Sequence, residues 1–122
     1  MAIGQLQLSA SVLHTPQAGV GPTGISTIPA KALTQATTRT LHTVLTAVSA
    51  VNVSVDFAGI ANARFIMIQQ LSGSLDFKFT SSKGSDQELP VGRLMVWENS
   101  TEPVTAIKYS GTGEFELFLA EW

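Results

Sequence analysis

Charged and aromatic residues are concentrated in the second half of this chain. All nine aromatic residues lie at Phe57 or beyond, and thirteen of the sixteen charged residues lie there too. Residues 1–56 carry only Lys31, Arg39 and Asp56 among many Thr, Ser, Ala, Gly and Pro residues. Such a segment makes neither a well-solvated surface nor a self-sufficient core, so we expect another subunit to order it.

Length and composition indicate one domain with few charges. A chain of 122 residues can bury a real core, and its charged fraction of 13% is about half of the usual share. Low charge is typical of proteins that bury surface in an assembly. The net charge is −2 and the basic residues are scattered, which argues against nucleic acid as a partner. Because Met1–Ala10 lack Lys, Arg and a continuous apolar run, we expect no signal peptide and synthesis in a cytoplasm. No run in the chain approaches 18 apolar residues, so we expect no membrane span.

Residues 14–30 contain prolines and glycines too closely spaced for regular structure. Pro16, Pro22 and Pro29 alternate with three glycines, which predicts neither helix nor strand there. Ordering the backbone of about 17 residues costs roughly 17–34 kcal/mol. Each of the few larger apolar side chains returns only roughly 1.5–3 kcal/mol. We therefore predict that residues 1–39 form an extended N-terminal strand and arm that lies across a neighbouring molecule.

The remaining residues, 40–122, have the alternation of a β-sandwich body. Period-two patterns of apolar side chains predict strands at residues 51–57, 64–71, 75–80, 93–98, 104–110 and 114–122. Turns are predicted at Ser72-Gly73 and at Gly111–Gly113, and a polar loop at Ser81–Gly92.

Two further segments complete the predicted sheet. Gln5–Leu13 alternates like a half-buried strand, and residues 31–50 fit either a helix or a strand. Their many threonines favour a strand at about Thr40–Ser49. The sequence thus predicts an all-β fold, an antiparallel β-sandwich of about eight strands and jelly-roll-like type with an extended N-terminal arm.

The sequence carries no catalytic signature. His14 and His42 are the only histidines, neither has an acidic residue close in sequence, and the chain has no cysteine. A metal site needs three or four ligands, and no Gly-x-Ser-x-Gly elbow marks a nucleophile. We therefore expect no enzymatic activity, no cofactor and no metal.

Three stretches of the second half resemble small β-sandwich proteins of tailed-bacteriophage virions. They are Val53–Ile66, Leu89–Leu94 and Ile107–Gly113, and the resemblance covers about residues 50–122. Proteins of that kind decorate heads or serve as tail accessories. The resemblance implies assembly in a virion through extended arms and β-rich interfaces, without a cofactor.

These observations together predict a non-enzymatic structural subunit of a phage particle. Its expected partners are further copies of itself in a homo-oligomer and other virion subunits, such as a major capsid or tail protein, with no nucleic acid and no membrane. The predicted interface residues are apolar side chains of the arm and aromatic side chains of the body: Leu6, Leu8, Val12, Val20, Ile25, Ile28, Trp97, Phe118 and Trp122.

The alternative is a carbohydrate- or receptor-binding β-sandwich module. Rings with polar edges suit contact with sugars, and Trp97 and Tyr109 lie on predicted strands that could be neighbours. This alternative places both rings on an exposed face near Ser81–Gly92. The same alternation equally fits core and interface positions.

Overall fold

A computed structural model describes residues 4–14, 26–84, 86–90 and 92–122 of the chain. These residues form seven strands and no helix, so none of them belongs to a helix that could cross a membrane. The strands are β1 (Gly4–His14), β2 (Ser26–Thr37), β3 (Arg39–Ser54), β4 (Phe65–Ser81), β5 (Asp86–Pro90), β6 (Leu94–Glu98) and β7 (Val104–Glu121). The predicted all-β class is confirmed, and the ambiguous residues 31–50 are strand.

The strands form two antiparallel sheets. β1 pairs with β2, and the larger sheet has the order β3-β7-β4 with β5 and β6 both paired to the remaining edge of β4. β6 pairs with Phe65–Gln69 and β5 pairs with Asp76–Thr80. Each half of the long strand β4 therefore has its own edge strand.

A zone of β-bulges and glycines, here called the crease, crosses the three long strands. β4 has a bulge between Gln70 and Ser72, β3 has bulges between Ala47 and Val53, and β7 places glycines opposite them. Gly73 of β4 pairs with Gly113 of β7, Leu75 pairs with Gly111, and β3 shifts its register over Ala47–Ala50 opposite these glycines. All three glycines have φ between 73° and 154°. A Cβ at any of them would lie under 3.0 Å from a carbonyl oxygen of the facing strand, so only glycine fits.

The crease folds the larger sheet onto itself. Tyr109 and Phe115 lie six residues apart on β7, which corresponds to about 20 Å in a straight strand. Their ring centroids are only 5.1 Å apart, and Phe77 lies 5.0 Å from Phe115. The two halves of the sheet therefore face each other as the layers of a sandwich-like fold.

Backbone hydrogen bonds bring together residues near the two ends of β7. The N–H of Ala63 donates to the carbonyl of Val104 at 2.8 Å, and that of Val104 donates back at 2.9 Å. The N–H of the next residue, Arg64, donates to the carbonyl of Ala120 at 2.9 Å. The adjacent residues Ala63 and Arg64 thus bond to Val104 and Ala120, which would lie about 50 Å apart if β7 were straight.

We call the two halves the first layer and the second layer. The first layer holds β6 and residues 39–47, 65–70 and 114–121, and the second holds β5 and residues 53–54, 74–81 and 104–110. The buried core between them includes Ile66, Ile68, Leu75, Phe77, Phe79, Ile107, Phe115, Leu117 and Leu119. Each such side chain contributes roughly 1.5–3 kcal/mol by leaving water.

The predicted turns at Ser72-Gly73 and Gly111–Gly113 are wrong. Both segments lie inside continuous strands, because their glycines form the crease and do not reverse the chain. The predicted strands at 40–49 and 51–57 similarly fall largely into one strand, β3, which ends at Ser54. The described residues therefore form five long strands and two short ones, β5 and β6, where about eight short strands were predicted.

Two segments predicted to lack strands contain them. β2 begins at Ser26 and passes through Pro29, which lies where the β1–β2 register shifts between Ile28 and Lys31. Proline is tolerated there because a bulge on an edge strand does not require its missing N–H. The predicted loop at Ser81–Gly92 contains β5, the short edge strand that ends at Pro90.

The described part of the predicted arm is a β-hairpin, β1 and β2, that pairs internally. Only Thr38 separates its second strand from β3, and both the N–H and the Oγ1 of Thr38 donate to the carbonyl of Glu121, at 2.8 and 3.2 Å. Among the described strands, β1 and β2 pair only with each other. The division into residues 1–39 and 40–122 stays a prediction.

Candidate interaction surfaces

The outward side of the first layer is largely apolar. The pairing registers place His42, Phe118, Met67 and Val96 in one row across four strands, and Val44, Glu116, Gln69 and Leu94 in the next. Leu94 is 61% exposed, Val44 49% and Val96 42%. We call Val44, Met67, Leu94, Val96 and Phe118 the outer apolar face.

The outward side of the second layer is polar. Its register rows bring together Asp76, Lys78, Glu88, Lys108 and Ser110, which we call the polar face. All five are exposed or half-buried. The two sides of the sandwich thus differ in chemistry: the outer apolar face exposes Val44, Leu94 and Val96 around Glu116 and Gln69, and exposed apolar side chains grouped in this way are typical of an interface.

The base of the hairpin covers one end of the outer apolar face. Leu6 packs with Phe65 and Ala120, which are 2% and 0% exposed, and Phe118 and Trp122 pack around them. The rings of Phe65 and Phe118 meet edge to face at 6.0 Å. The structure therefore brings three predicted interface residues, Leu6, Phe118 and Trp122, into one cluster of the same chain.

The other predicted interface residues of the arm lie in the hairpin or outside the described residues. Leu8 and Val12 belong to β1, and Val12 pairs with Ile28 of β2. Val20 and Ile25 lie outside the described residues. Their role in an interface stays a prediction.

Trp97 lies on the inner side of β6, opposite to the outer apolar face. It pairs with Ile66, and its ring meets that of Phe79 edge to face at 6.0 Å. Tyr109, its expected companion, packs with the core and meets the ring of Phe115. Successive strand residues point to opposite sides, so Val96 faces outward where Trp97 faces the space between the layers.

A cavity of about 200 Å³ lies beside Trp97 where the edge strands β5 and β6 leave the sandwich open. Its walls come from both layers and from the turn that precedes β7. The lining residues are Phe79, Ser81, Gln87, Trp97, Asn99, Glu102 and Val104. Sequence reasoning missed this grouping, because it requires knowing that β5 and β6 lie along the same edge of β4.

Hydrogen bonds fix the polar wall of the cavity. The hydroxyl of Ser81 donates to Oε1 of Glu102 at 2.5 Å. The N–H groups of Thr101 and Glu102 both donate to Oδ1 of Asn99, at 3.0 and 2.8 Å. The carboxylate of Glu102 is therefore held in place by the body of the protein.

Beyond its first residue, Arg39, the outer strand of the larger sheet, β3, is a long edge without formal charges. Residues 40–55 contain no Asp, Glu, Lys, Arg, Pro or Gly. Val48 and Val51 are each 78% exposed, and Val44 and Val53 are exposed as well. Edge strands usually carry charges, proline or bulges to prevent pairing with other chains. The bulges of β3 lie between Ala47 and Val53, so its regular first half is the part suited to strand addition.

His42 and Glu116 form a side-chain contact on the outward side of the first layer. Nε2 of His42 lies 3.0 Å from Oε2 of Glu116, and the imidazole is 60% exposed. The sequence hid this contact because the two residues lie on neighbouring strands. Across the described side chains no three potential metal ligands come together.

No family model, curated protein or solved structure matches this chain.

Proposed function

We propose that this protein is a non-enzymatic structural subunit of a phage particle, a head decoration or tail accessory protein. The observation that carries the proposal is the contrast between the outer apolar face and the polar face on a chain with few charges. A face that exposes Val44, Leu94 and Val96 is stabilised by contact with another protein surface. The polar face then remains toward water.

Three surfaces contribute to assembly. The outer apolar face buries against another copy or a virion subunit, the edge of β3 accepts a strand from a neighbour, and the hairpin extends the contact. Because β1 and β2 pair only with each other among the described strands, each has a free edge that can pair with a neighbouring molecule. Contacts that are weak one by one become strong when symmetry repeats them.

The expected setting is the virion, with a major capsid or tail protein as the second partner. The folded sheet supports this proposal because it provides two layers and a long free edge on a small body. We retain the proposal of a jelly-roll-like arrangement, for which the pairing of four strand segments in each layer is suitable.

The test introduces charge on one side of the sandwich and then on the other. Leu94→Glu places a carboxylate on the outer apolar face, and we expect it to weaken assembly about tenfold or more without unfolding the chain. Lys108→Glu, a larger change of charge on the polar face, is the control and should leave assembly unchanged. Sedimentation over a range of concentrations, alone and with capsid or tail subunits, measures both.

Two results would contradict the proposal. One is a wild-type chain that stays monomeric and binds neither capsid nor tail subunits. The other is equal assembly by Leu94→Glu and the wild type. Circular dichroism shows in each case whether the variant has the wild-type fold.

A further inference from the structure

We propose that the cavity beside Trp97 binds a single ring of a neutral saccharide. This site is separate from the assembly surfaces and adds a recognition function to the structural one. It uses the inner side of β6, whereas assembly uses Leu94 and Val96 on the outer side of the same strand.

The size of the cavity limits the ligand. Its volume of about 200 Å³ is below the roughly 300–1,000 Å³ typical of sites for drug-sized molecules. A single sugar ring is of the right scale, and a longer oligosaccharide would have to extend into solvent. Gln87 lines the cavity and is exposed, so the cavity reaches the surface where a glycan end could enter.

The walls match the two chemical sides of a sugar ring. The half-buried Trp97 provides aromatic surface for the C–H groups of one side, and the buried ring of Phe79 supports it edge to face. Glu102 and Gln87 provide oxygen atoms of the kind that accept hydrogen bonds from hydroxyl groups, and Asn99, whose Oδ1 already accepts two backbone N–H groups, offers its amide NH₂ as a donor. None of the described residues that line the cavity is Lys or Arg, so nothing among them favours an anionic sugar, and the carboxylate of Glu102 opposes one.

The polar wall is ordered before any ligand arrives. Asn99 fixes the turn through two backbone N–H groups, and Ser81 holds Oε1 of Glu102. The N–H of Ser82 also donates to the carbonyl of Pro103 at 2.8 Å, which ties the same turn to β4. A ligand therefore does not bear the cost of ordering these groups, which favours binding of a small molecule.

The two indole groups of the chain allow a test with an internal control. Trp97 lines the cavity, whereas Trp122 packs in the Leu6 cluster. In an ¹H–¹⁵N spectrum of the full chain the two indole N–H signals are assigned with Trp122→Phe. Titration with glucose, galactose, mannose and N-acetylglucosamine should shift the Trp97 signal saturably for at least one sugar, with the Trp122 signal unchanged.

Substitution of Glu102 is the second part of the test. Glu102→Gln keeps the shape of the side chain but removes its charge, and we expect it to weaken binding about tenfold, because hydrogen bonds to charged groups are the stronger ones. Glu98→Gln, the same change on the outward side of β6, should retain wild-type affinity.

Several outcomes would overturn the proposal. They are the absence of a saturable shift with all four sugars, equal shifts of both indole signals, unchanged affinity in Glu102→Gln, and tighter binding of the anionic N-acetylneuraminic acid than of any neutral sugar. The titration measures sugar binding by the unassembled chain. The absence of a shift would therefore contradict the saccharide proposal without contradicting the assembly proposal.

Discussion

Gly113 lies where β7 approaches β4 so closely that a side chain would strike the carbonyl oxygen of Ser72. Its φ of 154° adds a backbone conformation that other residues rarely adopt. We predict that Gly113→Ala lowers the free energy of unfolding by about 2–4 kcal/mol, through combined backbone strain and steric conflict. Urea denaturation measures the change.

Gly92→Ala is the matched control for this substitution. An added Cβ at Gly92 meets no atom within 4 Å. We expect the free energy of unfolding to change by less than about 1 kcal/mol in either direction. Equal effects of the two substitutions would show that the crease does not depend on glycine.

Arg64 joins three parts of the chain through carbonyl groups. Its Nε donates to the carbonyl of Trp122 at 3.0 Å, and its Nη1 donates to the carbonyl of Ser100 at 2.5 Å. Its backbone N–H donates to the carbonyl of Ala120. Lysine carries the same charge but cannot present two donors in a fixed fork. Arg64→Lys should therefore lower the free energy of unfolding by about 1–3 kcal/mol.

Arg93→Lys serves as the control because the side chain of Arg93 is exposed. We expect this substitution to change the free energy of unfolding by no more than about 0.5 kcal/mol. Thermal unfolding followed by circular dichroism compares the two variants. A smaller loss in Arg64→Lys than in Arg93→Lys would show that these carbonyl contacts do not stabilise the fold.

At the scale of elements, the alternation of apolar and polar residues predicted where most strands lie. It did not predict that several of these strands are continuous with one another. Positive φ at glycine serves both a two-residue hairpin and a bulge, so the residue types around Gly73 do not distinguish a turn from a crease. The numbering of the apolar positions does distinguish them, because a bulge changes the buried positions of a strand from even to odd numbers. Inward residues of β4 are even-numbered at Ile66 and Ile68 but odd-numbered at Phe77 and Phe79, as an extra bulged residue requires.

β5 was hidden for a different reason. Its residues include Asp86, Glu88 and Pro90, which are typical of loops and of protected edge strands alike. The cavity depends on this strand, since Gln87 comes from it. The sequence alone indicated Trp97 as a candidate residue of the cavity. Its polar residues could not be predicted, because they come together only when distant segments of the chain pair.

The uncharged edge of β3 leads to a prediction about solubility and association. Val48 is 78% exposed, so Val48→Lys should leave the free energy of unfolding within about 0.5 kcal/mol of wild type. The added charge should lower concentration-dependent self-association, because edge lysines oppose strand pairing. Light scattering measures the association.

Val48→Thr provides the comparison, because it keeps a β-branched side chain without a charge. We expect it to associate as the wild type does. If Val48→Lys and Val48→Thr associate equally, the edge of β3 does not take part in contacts between chains.

At the scale of the whole molecule, the hairpin and the body should differ in local stability. A two-stranded hairpin is at best marginally stable in water, and Leu6 is its one described contact with a buried cluster. We predict that amide hydrogens of β1 and β2 exchange with solvent faster than those of β4 and β7 in the monomer. Hydrogen exchange followed by mass spectrometry resolves the two regions.

Assembly should then slow exchange in the hairpin. If β1 and β2 contact neighbouring molecules, their protection rises in the assembled form while that of the central strands stays constant. Hairpin protection equal to that of β4 in the isolated chain would show that the hairpin needs no neighbour to hold it.

The alignment of bulges also restricts how this chain tolerates insertions and deletions. Because Ala47, Gly113 and Gly73 stand side by side, removing one residue from a single long strand would displace everything beyond the bend by one position and turn its buried side chains outward. Homologues should therefore conserve the spacing between these positions and the strand ends. Variation in length belongs near Gly84 and Gly92, where an added Cβ would meet no atom within 4 Å.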